Sequence, residues 1–276
     1  MTLLFNGRFK ATDHYVNSGL FDSAYGHDGW NGTFYRSDSL VVAADSRFGY
    51  IGKFSIKPNE VGQTRDGRDR VQIQWTPSNV GASLQYKDIW ESWSVKLDSP
   101  TWAAKETNNC WYALTSASSL NFWRPPGVSG EFGSTNLNFV GPSTTSLVYN
   151  FVYRDVLGDT NQENINVGII TPGYWYDFLF HVILARDNTG SFEFYVKEPD
   201  KTDYRLVTSK TNTPTQFTIH DYPDDVWMSK FGLYRGNFAT TTRIMYHSGI
   251  LIGTTRADVE PISECPTPQC NFTITQ

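Results

Sequence analysis

The segment DRVQIQW, Asp69 to Trp75, alternates apolar and polar residues without a break. Val71, Ile73 and Trp75 fall on one side of an extended chain, and Arg70, Gln72 and Gln74 on the other. Successive side chains of a β-strand point to opposite faces, so this period of two describes a strand with one packed face and one wet face. Short alternating or apolar runs recur along the chain in SLVVAAD, YIGKFSIKP, IWESWSVKL, TSLVYNFVYR, INVGIIT, SFEFYVKEP, KFGLYRG and TRIMYHSGILIG. Gly, Pro, Asn and Asp punctuate these runs. Helical periodicity is nowhere sustained over about 11 residues. Many short strands joined by such turns specify an all-β sandwich or barrel.

Individual runs sharpen this expectation. IWESWSVKL sets Ile89, Trp93, Val95 and Leu97 on one face. WYDFLFHVILAR is apolar on both faces, which predicts a central strand, and the DNTG that follows supplies the residues of a hairpin turn before SFEFYVKEP. Val71, Ile73, Trp75, Trp93, Val95, Phe178, Phe180, Val182, Phe192 and Phe194 are the predicted core. Thr101 to Pro142 reads as a long loop with WRPPGVSGEFGSTN inside it, where Trp123, Arg124, Pro125 and Pro126 make a rigid aromatic tip. Loops of that size in compact domains are usually functional or disordered. A chain of 276 residues suits one large sandwich, assigned to residues 1–258, with a tail over 259–276.

Composition removes several classes of function. Charged residues make up 18% of the chain and the net charge is −5, so no basic excess exists to displace counterions from nucleic acid. No apolar run reaches the roughly 18 residues of a membrane-spanning helix, so membrane insertion is not expected. The start, MTLLFNGRFKATD, lacks the charged and apolar regions of a secretory signal. An extracellular or virion-associated setting then implies a signal already removed or release by lysis. Aromatics form 15% of the chain, more than a core alone requires, and flat rings also stack on sugar faces. Cys110 reads as a small buried hydrophobe. Cys265 and Cys270 bracket PTPQ, a spacing open to a small disulfide loop and equally to two free thiols. No His lies near them to complete a metal site. No cofactor is expected, although Asp and Asn in the turns leave room for a structural Ca²⁺ at no particular site.

One stretch asks for more than a core. In MSKFGLYRGNF the period of two puts Phe231, Leu233 and Arg235 on one side, and Lys230, Gly232 and Tyr234 on the other. A cation, a gap and a phenol in a row suit a surface that grips a ligand. An ordinary solvated strand face has the same composition, and the residues alone leave both readings open.

The order of GYIGKFSIKPNE, RDGRDRVQIQW, YKDIWESWSVKLD, GYWYDFLFHVILARDNTGSFEFYV, KFGLYRG and RIMYHSGILIG resembles the heparin-lyase-like polysaccharide lyases. These are concanavalin A-like β-jelly-roll sandwiches related to the alginate and glucuronan lyases, and the likeness runs from Phe48 to Gly253. The resemblance implies β-elimination on a uronic-acid polysaccharide, in which a carboxylate is neutralised, a base takes the C5 proton and an acid protonates the leaving oxygen. It makes Tyr234 and Lys230 the catalytic pair, on the concave face of a sheet. Arg70, Gln72, Gln74, Arg235 and Trp123 become substrate contacts. The family's Gln-x-His base has no counterpart, because the matching region reads NNCWYALTSASS. Some related lyases let Tyr serve as both base and acid. Of the five histidines, which include His220, His181 is expected to be a satisfied core residue, His247 to sit near the edge of the last strand, and His14 and His27 to lie in the N-terminal region, where AYGHDGWNG is within reach of a cleft rim; none matches the family's base.

Three functions follow from this combination. The first is a carbohydrate-binding or adhesion jelly roll that contacts an acidic polysaccharide or host-surface glycan, as a viral or phage structural protein does, alongside other subunits of an assembly. The second is an active lyase. The third is a purely structural virion subunit.

Overall fold

The structure is a computed structural model that describes residues 3–9, 40–57, 69–75, 88–103, 111–119, 134–140, 147–154, 162–185, 188–213, 227–235 and 241–260. Its strands are β1 (Leu3–Asn6), β2 (Leu40–Asp45), β3 (Gly49–Ile56), β4 (Asp69–Trp75), β5 (Asp88–Leu97), β6 (Trp111–Ser119) and β7 (Ser134–Val140). They continue as β8 (Leu147–Arg154), β9 (Gln162–Ile170), β10 (Trp175–Ile183), β11 (Ser191–Lys197), β12 (Arg205–Thr211), β13 (Trp227–Arg235) and β14 (Arg243–Gly253). Two short helices, α1 (Ser99–Ala103) and α2 (Arg256–Val259), complete the described elements. In β4, β6, β7, β8, the start of β9 and most of β13 the backbone alone is described.

The strands form two antiparallel sheets. The larger has eight strands in the order β12-β11-β10-β5-β14-β3-β2, with β1 beside β14. The smaller runs β4-β13-β6-β7-β8-β9. Facing side chains from both build one core: Ile89, Trp93, Val95 and Leu97 of β5, Phe178, Phe180 and Val182 of β10, and Phe192 and Phe194 of β11 meet Leu233 of β13 and Val167 and Ile170 of β9. Each fully buried side chain of this kind contributes about 1.5–3 kcal/mol. The protein is an all-β jelly-roll sandwich; the alternating runs predict the sandwich, and the resemblance supplies the jelly roll. Seven of the ten predicted core residues are buried. The other three, Val71, Ile73 and Trp75, lie on β4, where side chains fall outside the described residues.

WYDFLFHVILAR is interior to its sheet for the reason its sequence suggests. Phe178, Phe180 and Val182 enter the core. On the opposite face Leu179 packs with Leu251 and with Val259 of α2. The helix is held there by Ser92 Oγ, which donates to the Val259 carbonyl at 2.6 Å. Asp258 secures its first turn by accepting from the Thr255 amide at 2.9 Å.

The expected long loop is not one. Between Thr101 and Pro142 lie the rest of α1 and the whole of β6 and β7. WYALTSASS and STNLNFV carry the Ser, Thr and Asn of a loop, but half of their positions fall on a sheet face outside the core, where such residues are normal. Trp123, Cys110, Cys265 and Cys270 lie outside the described residues.

Glycine matters most where the chain's beginning crosses its end. Gly249 has φ +87°, and a Cβ there would stand 2.3 Å from the Gly7 carbonyl oxygen. Gly7 and Ile250 exchange backbone hydrogen bonds at 2.8 and 3.4 Å beside this contact. Phe9 then enters the core next to Gly52.

Candidate functional site

The register of β13 against β4 brings two of the sequence's alternating segments together. Lys230 pairs with Gln74, Gly232 with Gln72 and Tyr234 with Arg70. The intervening pairs are Phe231 with Ile73 and Leu233 with Val71. Leu233 is fully buried in the core, which fixes its face as the inner one. Lys230, Gly232, Tyr234, Arg70, Gln72 and Gln74 therefore share the face turned away from the core. Arg235 pairs with Asp69 and Tyr112 at the end of β13, on the face of Leu233.

The same face continues across the sheet in two rows. One runs Gln74, Lys230, Ser116, Asn136, Val152, Asn164, and the other Arg70, Tyr234, Ala113, Asn138, Asn150, Asn166. At the spacing of neighbouring strands each row is about 24 Å long. The described side chains of β9 agree with this assignment: Ile170 is fully buried, whereas Ile169 is 58% exposed and Asn166 is exposed.

Between Lys230 and Tyr234 the ladder to β6 shifts register. Gly232 sits in that bulge at φ +135°, a conformation that glycine adopts without strain. Bulges bend a strand and re-aim its side chains, and they are frequent beside functional sites.

The charge on this face is one-sided. Arg70, Lys230 and Arg154 fall on it. The two acids of these six strands, Asp69 and Glu163, fall on the opposite face at strand ends. The face therefore suits an anionic ligand with hydroxyl groups for its amides, because a cation next to a carboxylate makes charge-assisted hydrogen bonds.

The histidines of the described residues both belong to the other sheet, and they reverse the expected roles. His247 is fully buried in the middle of β14 rather than near an edge, packed 6.3 Å from the Phe54 ring. Its Nδ1 accepts from the Gly249 amide at 3.1 Å, and burial pushes its pKa down to about 3. His181, expected in the core, lies on the far face of the eight-stranded sheet. It stacks on Trp90 at 4.1 Å, with Nε2 2.8 Å from Asp88 and Nδ1 3.1 Å from Glu193. Strand parity explains His181, since Phe180 and Val182 on either side already occupy the core face. A register shift between His247 and Ile250 hides the position of His247 from any count of alternation. Among the described residues no three of His, Cys, Asp and Glu are grouped to hold a metal ion, and no helix is long and apolar enough to cross a membrane.

Comparison with known proteins gives one consistent picture. The profile of a family described as polysaccharide lyase matches residues 23–251. An endo-β-1,4-glucuronan lyase from the fungus Trichoderma reesei is similar in structure, with a TM-score of 0.53 and 15% identity over 83% of this chain and 94% of that one. A marine alginate lyase from Aplysia kurodai gives 0.56 and 11% identity over 92% of this chain and 100% of that one. A mutant alginate lyase in complex with an alginate tetrasaccharide gives 0.56 and 13% over 91% and 96%. At these identities the likeness is one of fold. No curated protein sequence matches the chain.

Proposed function

Because the chain belongs to the polysaccharide lyase family, we propose that it recognises an acidic, uronic-acid polysaccharide along the open face of the six-stranded sheet. The observation that carries this reading is the one-sided charge of that face: Arg70, Lys230 and Arg154 without a strand carboxylate. Lys230 and Arg70 contact sugar carboxylates, and Gln72 and Gln74 contact hydroxyls. Arg235 falls on the face of Leu233 and is not among these contacts, and Trp123 lies outside the described residues. Lys230 and Tyr234 are about 13 Å apart along an extended strand, so they serve different sugar units. The alginate tetrasaccharide bound by a structural neighbour supports this ligand class. Such polymers are met outside cells or on their surfaces, so an extracellular or virion-associated setting and a place in a larger assembly belong to the same proposal. Isothermal titration with alginate and with polyglucuronate tests it. Wild-type protein should bind, and Lys230→Ala combined with Arg70→Ala should weaken binding at least tenfold, about 1.4 kcal/mol. Unchanged affinity in the double variant would end this reading.

A second reading adds cleavage, and the pairing of Tyr234 with Arg70 favours it. Arg70 neutralises the uronate carboxylate, which acidifies C5. Tyr234 as phenolate takes the C5 proton, the electron pair forms the C4–C5 double bond, and the C4–O bond breaks. The leaving oxygen takes a proton back from the phenol, so acid and base are one residue and no histidine is needed. The unsaturated product absorbs in the ultraviolet. Tyr234→Phe should abolish its formation while binding stays nearly intact, and wild-type protein that yields none is a binding module only.

A further inference from the structure

The far face of the eight-stranded sheet carries its own cross-strand row. Register aligns Trp175 of β10 with Lys96 of β5, Lys96 with Tyr246 of β14, Tyr246 with Lys53 of β3, and Lys53 with Val41 of β2. The row lies outside the core, because Val95, Leu97, Met245 and Phe54 on the alternate positions are fully buried. Aromatic ring and cation alternate from Trp175 to Lys53, over about 14 Å at the usual strand spacing. The Lys96 ammonium stands 4.9 Å from the Trp175 ring centroid and 4.8 Å from that of Tyr246.

Other cations on this side of the sheet have acids. Arg47 and Lys197 pair with Asp177 at 2.6 and 3.3 Å, and Arg256 with Glu260 at 2.9 Å. Among the described residues no carboxylate pairs with Lys96 or Lys53. The nearby acid, Asp98, is engaged by the Tyr246 hydroxyl at 3.1 Å and the Thr101 amide at 3.2 Å.

We propose that the row Trp175–Lys96–Tyr246–Lys53 is a second, non-catalytic contact surface for an anionic polysaccharide, on the opposite side of the sandwich from the proposed site. It rests on the proposed function only for the choice of ligand. Lys96 and Lys53 are two strands apart, about 10 Å, which suits a ligand whose negative charge repeats along its length. Trp175 and Tyr246 hold Lys96 in place, so less side-chain freedom is lost when a carboxylate arrives. The same rings offer apolar edges to the sugar between successive charges. A polymer long enough to meet both faces, or two strands bridged by one protein, then gains avidity without any new chemistry.

Titration of alginate chains into four proteins separates the two surfaces: wild type, Lys230→Ala/Arg70→Ala, Lys96→Gln/Lys53→Gln, and all four substitutions together. Thermal melting of each establishes that it folds. Weak binding should persist in Lys230→Ala/Arg70→Ala and vanish when the two glutamines are added. In the otherwise native protein, the glutamines should lower the affinity for long alginate by roughly tenfold. A neutral glucan of equal length should bind none of the four. No residual binding in Lys230→Ala/Arg70→Ala, or residual binding that the glutamines leave untouched, overturns the inference. So does equal binding of the neutral glucan. So does a wild-type protein that dimerises through this row, seen by sedimentation as dissociation in Lys96→Gln/Lys53→Gln with alginate affinity unchanged. Full binding in Lys230→Ala/Arg70→Ala that the glutamines abolish would instead uphold this surface and refute the first. Wild-type protein that binds neither alginate nor polyglucuronate refutes both.

Discussion

The two sheets treat polar residues in opposite ways. On the eight-stranded sheet most charges are closed among themselves. Asp177 is 2% exposed on a strand, yet it accepts from Ser94 Oγ at 2.6 Å and from Arg47 at 2.6 Å, with Lys197 at 3.3 Å. Part of that face is roofed by α2 and by Tyr204. On the six-stranded sheet the outward positions of the strands hold cations and amides, and the acids fall on the other side. One surface closes most of its charges with its own side chains and leaves only the row of Lys96 and Lys53 without acids; the strands of the other carry no carboxylate on their outward face. Architecture alone does not distinguish them, since both are outward faces of one sandwich. The placement of carboxylates does.

The most damaging test of this contrast is Asp177→Ala. It leaves two cations beside an empty acceptor in a nearly buried place, and losing one partner of such a group costs about 3–5 kcal/mol. Urea denaturation should show that loss, while alginate affinity of the folded fraction stays as in wild type. A loss of affinity with little change in stability would mean that the cluster around Asp177 also serves the ligand. Next in size, Lys230→Ala/Arg70→Ala should weaken polyuronate binding at least tenfold and change stability by no more than about 0.5 kcal/mol, as surface substitutions usually do. A large drop in its denaturation midpoint would place these residues in the structure rather than in the site.

Acid sensitivity should follow the eight-stranded sheet as well. The pKa of His247 is about 3 in the folded protein against 6.5 for an ordinary histidine, because burial disfavours its charge. Between those values the unfolded chain binds the extra proton. The contribution is therefore complete above pH 6.5 and is lost as pH falls toward 3, at up to about 1.4 kcal/mol per pH unit. His247→Gln should flatten that part of the stability-versus-pH curve measured in urea, and an unchanged slope would show that His247 is not the group responsible. The smallest effect belongs to the exposed pair of Arg256 and Glu260. Glu260→Gln should alter the melting free energy by no more than about 0.5 kcal/mol, because solvent screens such pairs.

Much of the sandwich was legible before the structure. IWESWSVKL and WYDFLFHVILAR announced their buried faces, because a residue's neighbours two positions away share its environment. The same rule failed where another force overrode it. Glu91 lies among Ile89, Trp93 and Val95 on the core side of β5 and is fully buried, which no count of apolar residues foretells. β6 and β7 escaped notice because a strand facing solvent on one side needs few apolar residues and can look like a loop. The two histidines traded places through strand parity and one register shift. For the candidate site, the alternation in DRVQIQW and KFGLYRG showed which residues share a side. It could not show that these segments, so distant in sequence, lie next to each other, nor that Tyr234 meets Arg70 across the ladder. That is a property of long-range pairing, and the resemblance supplied only the expectation of a common sheet.

The crossing of the chain's beginning and end has a consequence for how the protein is made. Leu3 pairs with Gly253, and β14 is also the strand that separates β5 from β3. Among the described strands β1 waits for β14, and the middle of the larger sheet stays open until β14 has left the ribosome. Pairings this distant fold slowly, because loop closure must precede any gain from contact. During translation β3 and β5 present unpaired edges and apolar faces that other nascent chains can join. Production of this protein should therefore depend on chaperones and on low temperature more than its finished core suggests, and any truncation before Gly253 leaves a larger sheet without its centre.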